Sequence, residues 1–330
     1  MLRLTGEGEA MRVFKGCLWL LLFAAGIAHA QPYPSKPIRI VVGFPAGGPA
    51  DISARIVAQH LTARVGRQVV VENRAGATGT IAAGQVARAA PDGYTALMAT
   101  QSTNATVPYM YSKISYDTLR DFAAVVQVGQ SPLLVAVHPS MPVKSIKELI
   151  ALARARPGQV TFGTGGIGST PHMSMEWFKV MAKVDILPVH YKGEGPAVIE
   201  TVGGHVQMLA ASIAVLLPYA QAGKLRGLAV TTAKRSTLAP EYPTIAESGL
   251  KGYDTTSWQG IVVPAATPRD VVQKLNAETV YVLTQPAARD QFLKLGVEIV
   301  ADTPEQFYEF LKTENARWGK LVKDLGLKAE

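Results

Sequence analysis

Three glycine-rich loops carry the residues of this sequence most able to do chemistry. They span residues 44–51, 73–80 and 163–172, and each joins a predicted strand to the start of a predicted helix. Free backbone N–H groups at a helix N-terminus attract an anion, and glycine lets a ligand approach the backbone. A polar run at 102–104 follows the third predicted strand in the matching place. Several such helix N-termini at one cleft would hold a carboxylate or a phosphate.

Five side chains near these loops could contact the same ligand. His172 lies just inside a predicted helix start, where it could help an anion site or equally be a solvated surface residue. Tyr191 and Lys192 place a phenol and a cation after a predicted strand, with a surface lysine at a turn as the alternative. Phe44 and Trp258 are candidates for apolar contact with a ligand, and either could instead belong to the core.

Enzyme motifs are weak in this chain. The glycines of 163–168 match the dinucleotide fingerprint, but a lone match in a glycine-rich chain says little. G-x-S-x-G is absent, and 248–251 fits S-x-x-K only in a turn. A hydrolase would need a base near Ser102 or Ser169, and His172 is too close in sequence to Ser169. The histidines show no metal-ligand spacing, so the sequence predicts a binding protein without cofactor or metal rather than an enzyme.

Composition excludes several other classes of protein. The chain has 330 residues, of which 48% are hydrophobic and 18% charged, so it is not a disordered protein. One cysteine excludes a disulfide scaffold. The net charge of +8 is spread along the chain without a block of five like charges, which argues against a nucleic-acid partner. The length suits two domains or one large one.

The N-terminus has the pattern of a secretory signal peptide. A positively charged segment at 11–15 precedes an apolar run at 16–27 and an A-x-A cleavage site at 28–30. The run is too short to span a bilayer comfortably. We expect residues 1–30 to be removed on export, together with the single Cys17.

The elements that must position the loops follow from the apolar runs. Strands at 38–42, 69–71 and 94–100 alternate with two helices, the first of them capped by Asp51, which predicts a parallel, doubly wound sheet. The same alternation restarts near residue 137, and the chain changes again near residue 260. Further strands are predicted at 133–137, 160–162, 186–191, 206–211, 225–231, 261–263 and 297–300.

This organisation predicts two α/β lobes joined by a hinge that the chain crosses twice. Residues 31–136 and 260–330 would form lobe 1, and residues 137–259 would form lobe 2, with the ligand cleft between them. Ligands of open α/β sheets bind outside the carboxyl ends of the strands, which is where the glycine-rich loops lie.

Many ordered motifs resemble one known family. The chain is similar over nearly all of residues 31–330 to the Bug-type solute-binding proteins of the tripartite tricarboxylate transporter system. The motifs that carry this resemblance are 33–39, 44–51, 71–76, 90–95, 191–193, 222–226, 243–249, 257–258 and 317–320.

The resemblance implies a periplasmic-binding-protein fold of the two-crossing type (type II). It implies a monomer in the periplasm that closes on a small organic carboxylate and delivers it to the membrane permease subunits of a tripartite tricarboxylate transporter. The loop 46–51 would hold the carboxylate through backbone N–H groups and ordered water. The loops and the resemblance together predict these ligand-binding residues: Phe44, Ala46, Gly47, Gly48, Asp51, Ser102, Thr103, Asn104, Gly168, Ser169, Thr170, His172, Tyr191, Lys192, Ala211 and Trp258.

One departure from the family pattern concerns the end of the strand after 203–204. Ala211 and Ser212 stand where the family usually has Asp and Asn. The loss of that carboxylate predicts a less polar ligand acid, aromatic or short aliphatic. Gln259 could add an amide on the ligand side or only belong to the hinge. The alternatives are an exported hydrolase or phosphate-ester enzyme that uses the glycine-rich loops, and a ligand-sensing subunit for a membrane receptor.

Overall fold

The computed structural model describes residues 33–328, so the predicted signal peptide and Cys17 lie outside the described residues. Residues 36–328 build two α/β lobes, each with its own sheet. Within the described range, no helix has the length and apolar composition needed to cross a membrane.

The first lobe contains a six-stranded sheet. Its strands are β1 (Ile38–Val42), β2 (Val69–Asn73), β3 (Thr95–Thr100), β4 (Phe122–Ser131), β10 (Ser257–Pro264) and β11 (Glu298–Ile299), in the order β11-β4-β10-β3-β1-β2. Its helices are α1 (Pro49–Val65), α2 (Thr80–Ala87), α7 (Arg269–Leu283), α8 (Pro286–Lys294) and α9 (Pro304–Leu325). β1 pairs in parallel with both β2 and β3, which confirms the predicted parallel start. β4 was not predicted; it runs antiparallel to β10.

The second lobe contains a five-stranded sheet. Its strands are β5 (Leu133–Val137), β6 (Val160–Thr164), β7 (Ile186–His190), β8 (Met208–Ser212) and β9 (Arg226–Val230), in the order β7-β6-β8-β5-β9. Its helices are α3 (Ile146–Ala155), α4 (Thr170–Ala182), α5 (Glu194–Val202) and α6 (Ile213–Gln221). β6 is parallel to β7 and β8, whereas β5 is antiparallel to β8 and β9.

The chain passes between the sheets twice. The first crossing lies at Pro132, between β4 and β5, and the second lies in 231–256, between β9 and β10. β5 pairs within the second sheet, whereas the predicted boundary after residue 136 would have put most of it in lobe 1. The two-crossing fold is therefore as predicted, and the assignment of the remaining boundary residues stays a prediction.

The start of α1 differs from the prediction. The helix begins at Pro49 with Gly48 as its N-cap, so Asp51 lies inside the first turn and is not the cap. Proline is well tolerated at this first position because its φ is already helical and its missing N–H would have no partner there. The carboxyl group of Asp51 is consequently free to turn back onto the loop before the helix.

The two lobes pack against each other at one end of α4. Met173 of α4 belongs to the first lobe's hydrophobic cluster, which also contains Trp258, Phe307 and Trp318. Thr170 Oγ1 donates a hydrogen bond to Gln101 Oε1 at 2.8 Å, and Gln101 is fully buried. The N-terminus of α4 is therefore fixed relative to the loop after β3.

Candidate functional site

A cleft of about 660 Å³ lies between the lobes, at the carboxyl ends of the parallel strands. From the first lobe it is lined by Gly43, Phe44, Pro45, Gly48, Pro49, Ala50, Ala75, Gly76, Thr78, Thr100 and Ser102. From the second lobe and β10 it is lined by Gly165, Gly166, Ile167, Ser169, Thr170, Pro171, Glu194, Ser257, Trp258 and Gln259. A side cavity of about 260 Å³ adjoins it and shares Pro49, Glu194, Ser257 and Gln259.

A larger groove of about 950 Å³ lies elsewhere, along the end of α9. It is lined by residues 109–112 and by residues of the range 315–328. None of the predicted ligand-binding residues lines it, and its lining includes no carboxyl end of a parallel strand, which is where ligands of this fold class bind. We therefore place the candidate site at the interlobe cleft.

Asp51 holds the first wall of the cleft together. Its side chain is 1% exposed, and Oδ2 accepts hydrogen bonds from the Gly47 N–H at 2.8 Å and from Arg55 Nε at 2.9 Å. Oδ1 accepts from Asn73 Nδ2 at 2.9 Å, and the same amide donates to the Phe44 carbonyl at 3.0 Å. Burial opposes ionisation, but the hydrogen bonds from Arg55, Gly47 and Asn73 outweigh it and lower the pKa of Asp51. Asp51 thus shapes the loop rather than facing the cleft.

Few backbone amides of this loop remain for an anion. The Gly47 N–H is taken by Asp51, the Gly48 N–H points to the Pro45 carbonyl at 3.4 Å, and Pro49 has no N–H. Within residues 33–328, the N–H groups of Ala50 and Asp51 have no acceptor, as expected in the first turn of a helix. Of the predicted loop residues, Phe44 and Gly48 line the cleft, Gly47 lines the side cavity, and Ala46 is exposed and lines neither.

The polar run after β3 divides into one cleft residue and two buried ones. Ser102 lines the cleft. Thr103 is 1% exposed and donates from Oγ1 to the Thr78 carbonyl at 3.0 Å. Asn104 is fully buried, and its Oδ1 accepts the Thr100 N–H at 3.2 Å. Thr103 therefore ties this segment to the loop at Thr78, Asn104 ties it to the end of β3, and neither residue lines the cleft.

The second wall begins at the N-terminus of α4. Ser169 and Thr170 line the cleft, and Ser169 is the N-cap, accepting the His172 N–H at 3.4 Å. Ser169 Oγ also donates to the Gly166 carbonyl at 2.7 Å. Gly168 has a φ of +75°, and a Cβ there would approach Met110 Sδ to 2.9 Å, so only glycine fits. Gly168 therefore permits the turn but does not line the cleft.

His172 is a buried anchor of this loop. Its side chain is 2% exposed, and Nδ1 accepts the Gly168 N–H at 3.2 Å. Burial, with the neighbouring His190 and Lys179, lowers the pKa of His172 to about 3, so the ring is neutral at ordinary pH. Its Nε2 lies 3.8 Å from Glu176 Oε1. The structure thus directs His172 into the lobe and away from the cleft.

Four other predicted residues contribute no free side chain to the cleft. Tyr191 and the exposed Lys192 line neither cavity, and Ala211 is 1% exposed within a hydrophobic cluster of the second lobe. Trp258 borders the cleft, but its side chain is fully buried and its Nε1 donates to Glu314 Oε2 at 2.8 Å. The indole of Trp258 therefore belongs to the core.

Glu194 is a cleft residue that the predicted set omitted, and Gln259, offered from the sequence as a ligand-side amide or a hinge residue, lies beside the cleft too. Both line the cleft and the side cavity. Glu194 Oε2 accepts the Ser212 N–H at 3.3 Å, and burial raises the pKa of Glu194. Ala211 stands where the family usually has an aspartate, and the carboxyl group at the cleft comes instead from Glu194, so the predicted less polar ligand acid stays a prediction. The place of Glu194 directly after 191–193, at a helix start, was the sequence signal available.

The sequence matches the model of the tripartite tricarboxylate transporter family receptor over residues 53–327. The chain belongs to this family. BugT of Bordetella pertussis is 35% identical over 313 residues, which cover 94% of this chain and 96% of BugT.

Two solved structures resemble the receptor over nearly its whole described length. Rpa4515 of R. palustris with adipate is 36% identical, with a TM-score of 0.78, and the match covers 90% of this chain and 99% of that one. MatC from Rhodopseudomonas palustris with bound malate is 29% identical, with a TM-score of 0.75, and the match covers 88% of this chain and 100% of that one. The predicted family and the predicted periplasmic-binding-protein fold are confirmed.

The receptor's cleft is arranged for binding. Ser169 gives its hydroxyl hydrogen to the Gly166 carbonyl, and the imidazole of His172 faces Gly168 and Glu176, so these two side chains do not form the nucleophile–base pair that a hydrolase needs. What the cleft offers is two helix N-termini, serine and threonine hydroxyls, and one carboxyl and one amide group. This set can recognise an anion with a second polar group.

Proposed function

We propose that the receptor binds a small organic carboxylate in the interlobe cleft and delivers it to the membrane subunits of a tripartite tricarboxylate transporter. The observation that carries this proposal is that the first turns of α1 and α4 meet at one cavity of about 660 Å³. The N–H groups of Ala50 and Asp51 are free to bind an anion, and they lie at the positive end of the helix dipole, which favours a negative charge. The hydroxyls of Ser102 and Ser169 supply further donors.

The relatives support the carboxylate class. Rpa4515 was solved with adipate and MatC with malate, and both are dicarboxylates. Closure of two lobes excludes water from the cleft, which strengthens charge-assisted hydrogen bonds to a carboxylate.

We infer that the lobes are residues 36–132 with 257–328 and residues 133–256, and that the receptor acts as a monomer without cofactor.

Thermal unfolding with a ligand panel tests the binding step. The receptor would be unfolded and refolded to remove carried ligand, then melted with carboxylates, amino acids, phosphate esters and NAD. A ligand at about a thousand times its Kd adds roughly 4 kcal/mol of stability, a shift of several degrees. We expect a shift for one or a few carboxylates. A response confined to NAD or a phosphate ester would overturn the proposal.

A pair of serine variants localises the ligand. Ser102→Ala removes a hydroxyl that lines the cleft, and we expect it to weaken carboxylate binding about tenfold, or roughly 1.4 kcal/mol. Ser140→Ala is the control. Ser140 is exposed and follows the C-terminal end of β5, whereas the side cavity is lined by Leu133 at the opposite end of that strand. Equal affinities of the two variants would move the site out of this cleft.

Two cellular measurements test location and delivery. N-terminal sequencing of the receptor from the periplasmic fraction is expected to begin at Gln31. Cells without the gene are expected to lose uptake of the radiolabelled ligand. Unchanged uptake with loss of a transcriptional response to the ligand would instead support a sensing subunit.

A further inference from the structure

Glu194 is an acidic side chain without a cation. It lines both cavities, and the Ser212 N–H at 3.3 Å is its hydrogen-bond donor. Within residues 33–328, no lysine, arginine or histidine forms an ion pair with it, and this includes the exposed Lys294 at the side cavity. A half-buried carboxyl group with one donor has unused acceptor capacity, and this one belongs to a residue that lines the cleft.

Gln259 places a second unused polar group at the same two cavities. It lies on β10, between the two lobes, and is 7% exposed. Its side-chain Oε1 is buried and has no hydrogen-bond partner among the described residues. A buried polar atom without a partner costs stability, so a ligand atom that donates a hydrogen bond there recovers that cost.

The chemistry of this pair disfavours a second carboxylate on the ligand. An ionised Glu194 repels a carboxylate and attracts a hydroxyl or ammonium group. Burial raises the pKa of Glu194, so the empty cleft already disfavours its charge, and a ligand that donates a hydrogen bond to the carboxylate relieves that penalty.

We propose that Glu194 and Gln259 form an acceptor site that selects organic acids carrying a hydroxyl or ammonium group at the end remote from the bound carboxylate. This inference rests on the proposed function, because the helix N-termini are assumed to hold the first carboxylate. It predicts that the receptor discriminates against simple dicarboxylates of the same length.

Calorimetry with acids of matched length tests the proposal. The six-carbon set is adipate, 6-hydroxyhexanoate, 6-aminohexanoate and hexanoate, and the four-carbon set is succinate, 4-hydroxybutanoate, 4-aminobutanoate and butanoate. In at least one set we expect the hydroxy or amino acid to bind at least tenfold tighter than the diacid at pH 7.5. Glu194→Gln is expected to bring that ratio within threefold, with the larger loss for an ammonium group than for a hydroxyl group.

The control variant makes the same glutamate-to-glutamine change at another position of the same helix. Glu200→Gln lies on α5 as well, lines neither cavity, and is expected to leave the ratio unchanged. If the acids bind and Glu194→Gln leaves their ratio unchanged, the acceptor site is wrong while the carboxylate receptor stands. If no carboxylate of these sets or of the ligand panel binds to the wild type, both proposals are overturned.

Discussion

Two carboxyl groups, one from each lobe, differ in their surroundings: Asp51 lies behind the loop that borders the cleft, and Glu194 lines the cleft. Asp51 in the first lobe accepts hydrogen bonds from Gly47, Arg55 and Asn73, and these lower its pKa. Glu194 in the second lobe accepts one hydrogen bond, from Ser212, and burial raises its pKa. The first carboxylate is satisfied by the protein itself, whereas the second has acceptor capacity left.

This difference separates folding from recognition. A buried acid with a full set of donors stabilises the loop that carries it, and removing it should mainly destabilise the protein. A buried acid with few donors is a cost to the unliganded protein that a ligand can relieve. Asp51 therefore shapes the glycine-rich loop 44–51. The proposed selectivity for the ligand depends instead on Glu194, which is outside the predicted ligand-binding set.

The largest effect is expected for Asp51→Ala. The substitution leaves the Gly47 N–H without its acceptor and removes the charge opposite Arg55, so we expect the free energy of unfolding to fall by about 4 kcal/mol at pH 7. Because the folded pKa of Asp51 is depressed, its stabilising effect is present above the ordinary aspartate pKa and is lost as the pH falls through the folded value. Urea unfolding at pH 7 measures the loss of stability, and urea unfolding at pH 3 shows whether the difference between wild type and variant shrinks in acid.

The control for this variant is Asp270→Ala. Asp270 is also in the first turn of a helix, α7, but it is exposed, so its loss should cost no more than about 0.5 kcal/mol. Equal destabilisation by the two variants would mean that Asp51 acts only through the helix dipole. The contrast between Asp51 and Glu194 would then fail.

A smaller effect is expected from alanine at the glycines of the two walls. Gly79 has a φ of +87°, and a Cβ there would overlap Thr103, with Oγ1, Cγ2 and Cβ all close, so rotation of Thr103 gives no relief. Gly166 has a φ of +122°, and its Cβ would meet only the Tyr191 carbonyl oxygen, at 3.5 Å. We expect Gly79→Ala to cost about 3 kcal/mol and Gly166→Ala about 1 kcal/mol.

Chemical unfolding of the two glycine variants measures the difference. It reports whether the first wall is the more tightly packed of the two, as the Asp51 network indicates. An equal loss of unfolding free energy in both variants would show that the positive φ alone causes the loss. The two walls would then not differ in packing.

Glu194→Gln is expected to stabilise the unliganded receptor slightly. The folded pKa of Glu194 is raised, so the wild type loses stability as the pH rises from the ordinary glutamate value through the folded value. Glutamine does not titrate, and it should therefore be more stable than the wild type by about 1 kcal/mol at pH 8, with the advantage vanishing near pH 4. Glu200→Gln, measured in parallel, should show no such trend. A loss of stability at pH 8 would place Glu194 among the structural acids, with Asp51.

Much of the fold could be predicted from the sequence, because the parallel start depends on local patterns. Apolar runs, glycine loops and helix starts predicted β1, β2 and β3 in order. β4 was missed because Phe122–Ser131 mixes small and polar residues, and its pairing with β10 joins segments more than 120 residues apart. Local patterns carry no information about such a partner.

The site was harder to predict because motifs do not reveal where a side chain points. Thr103 and Asn104 follow β3 as expected, yet they are buried, with Thr103 bonded to the loop at Thr78 and Asn104 to the end of β3. Glu194 reaches the cleft because α5 packs beside the end of β8, where the Ser212 N–H meets its carboxyl group. Those directions depend on tertiary packing, which one sequence does not show.

The smallest expected effect concerns His172, the buried anchor of the second wall. Its pKa is lowered to about 3 by burial and by the neighbouring His190 and Lys179, so its ring signals should not titrate between pH 8 and pH 5 in NMR spectra. Comparison with a His172→Gln spectrum assigns the signals. A midpoint above pH 5 would mean that the ring gains a charge that could attract the ligand. With a neutral ring, His172 adds no charge to the second wall between pH 8 and pH 5, so any pH dependence of affinity in this range comes from other groups.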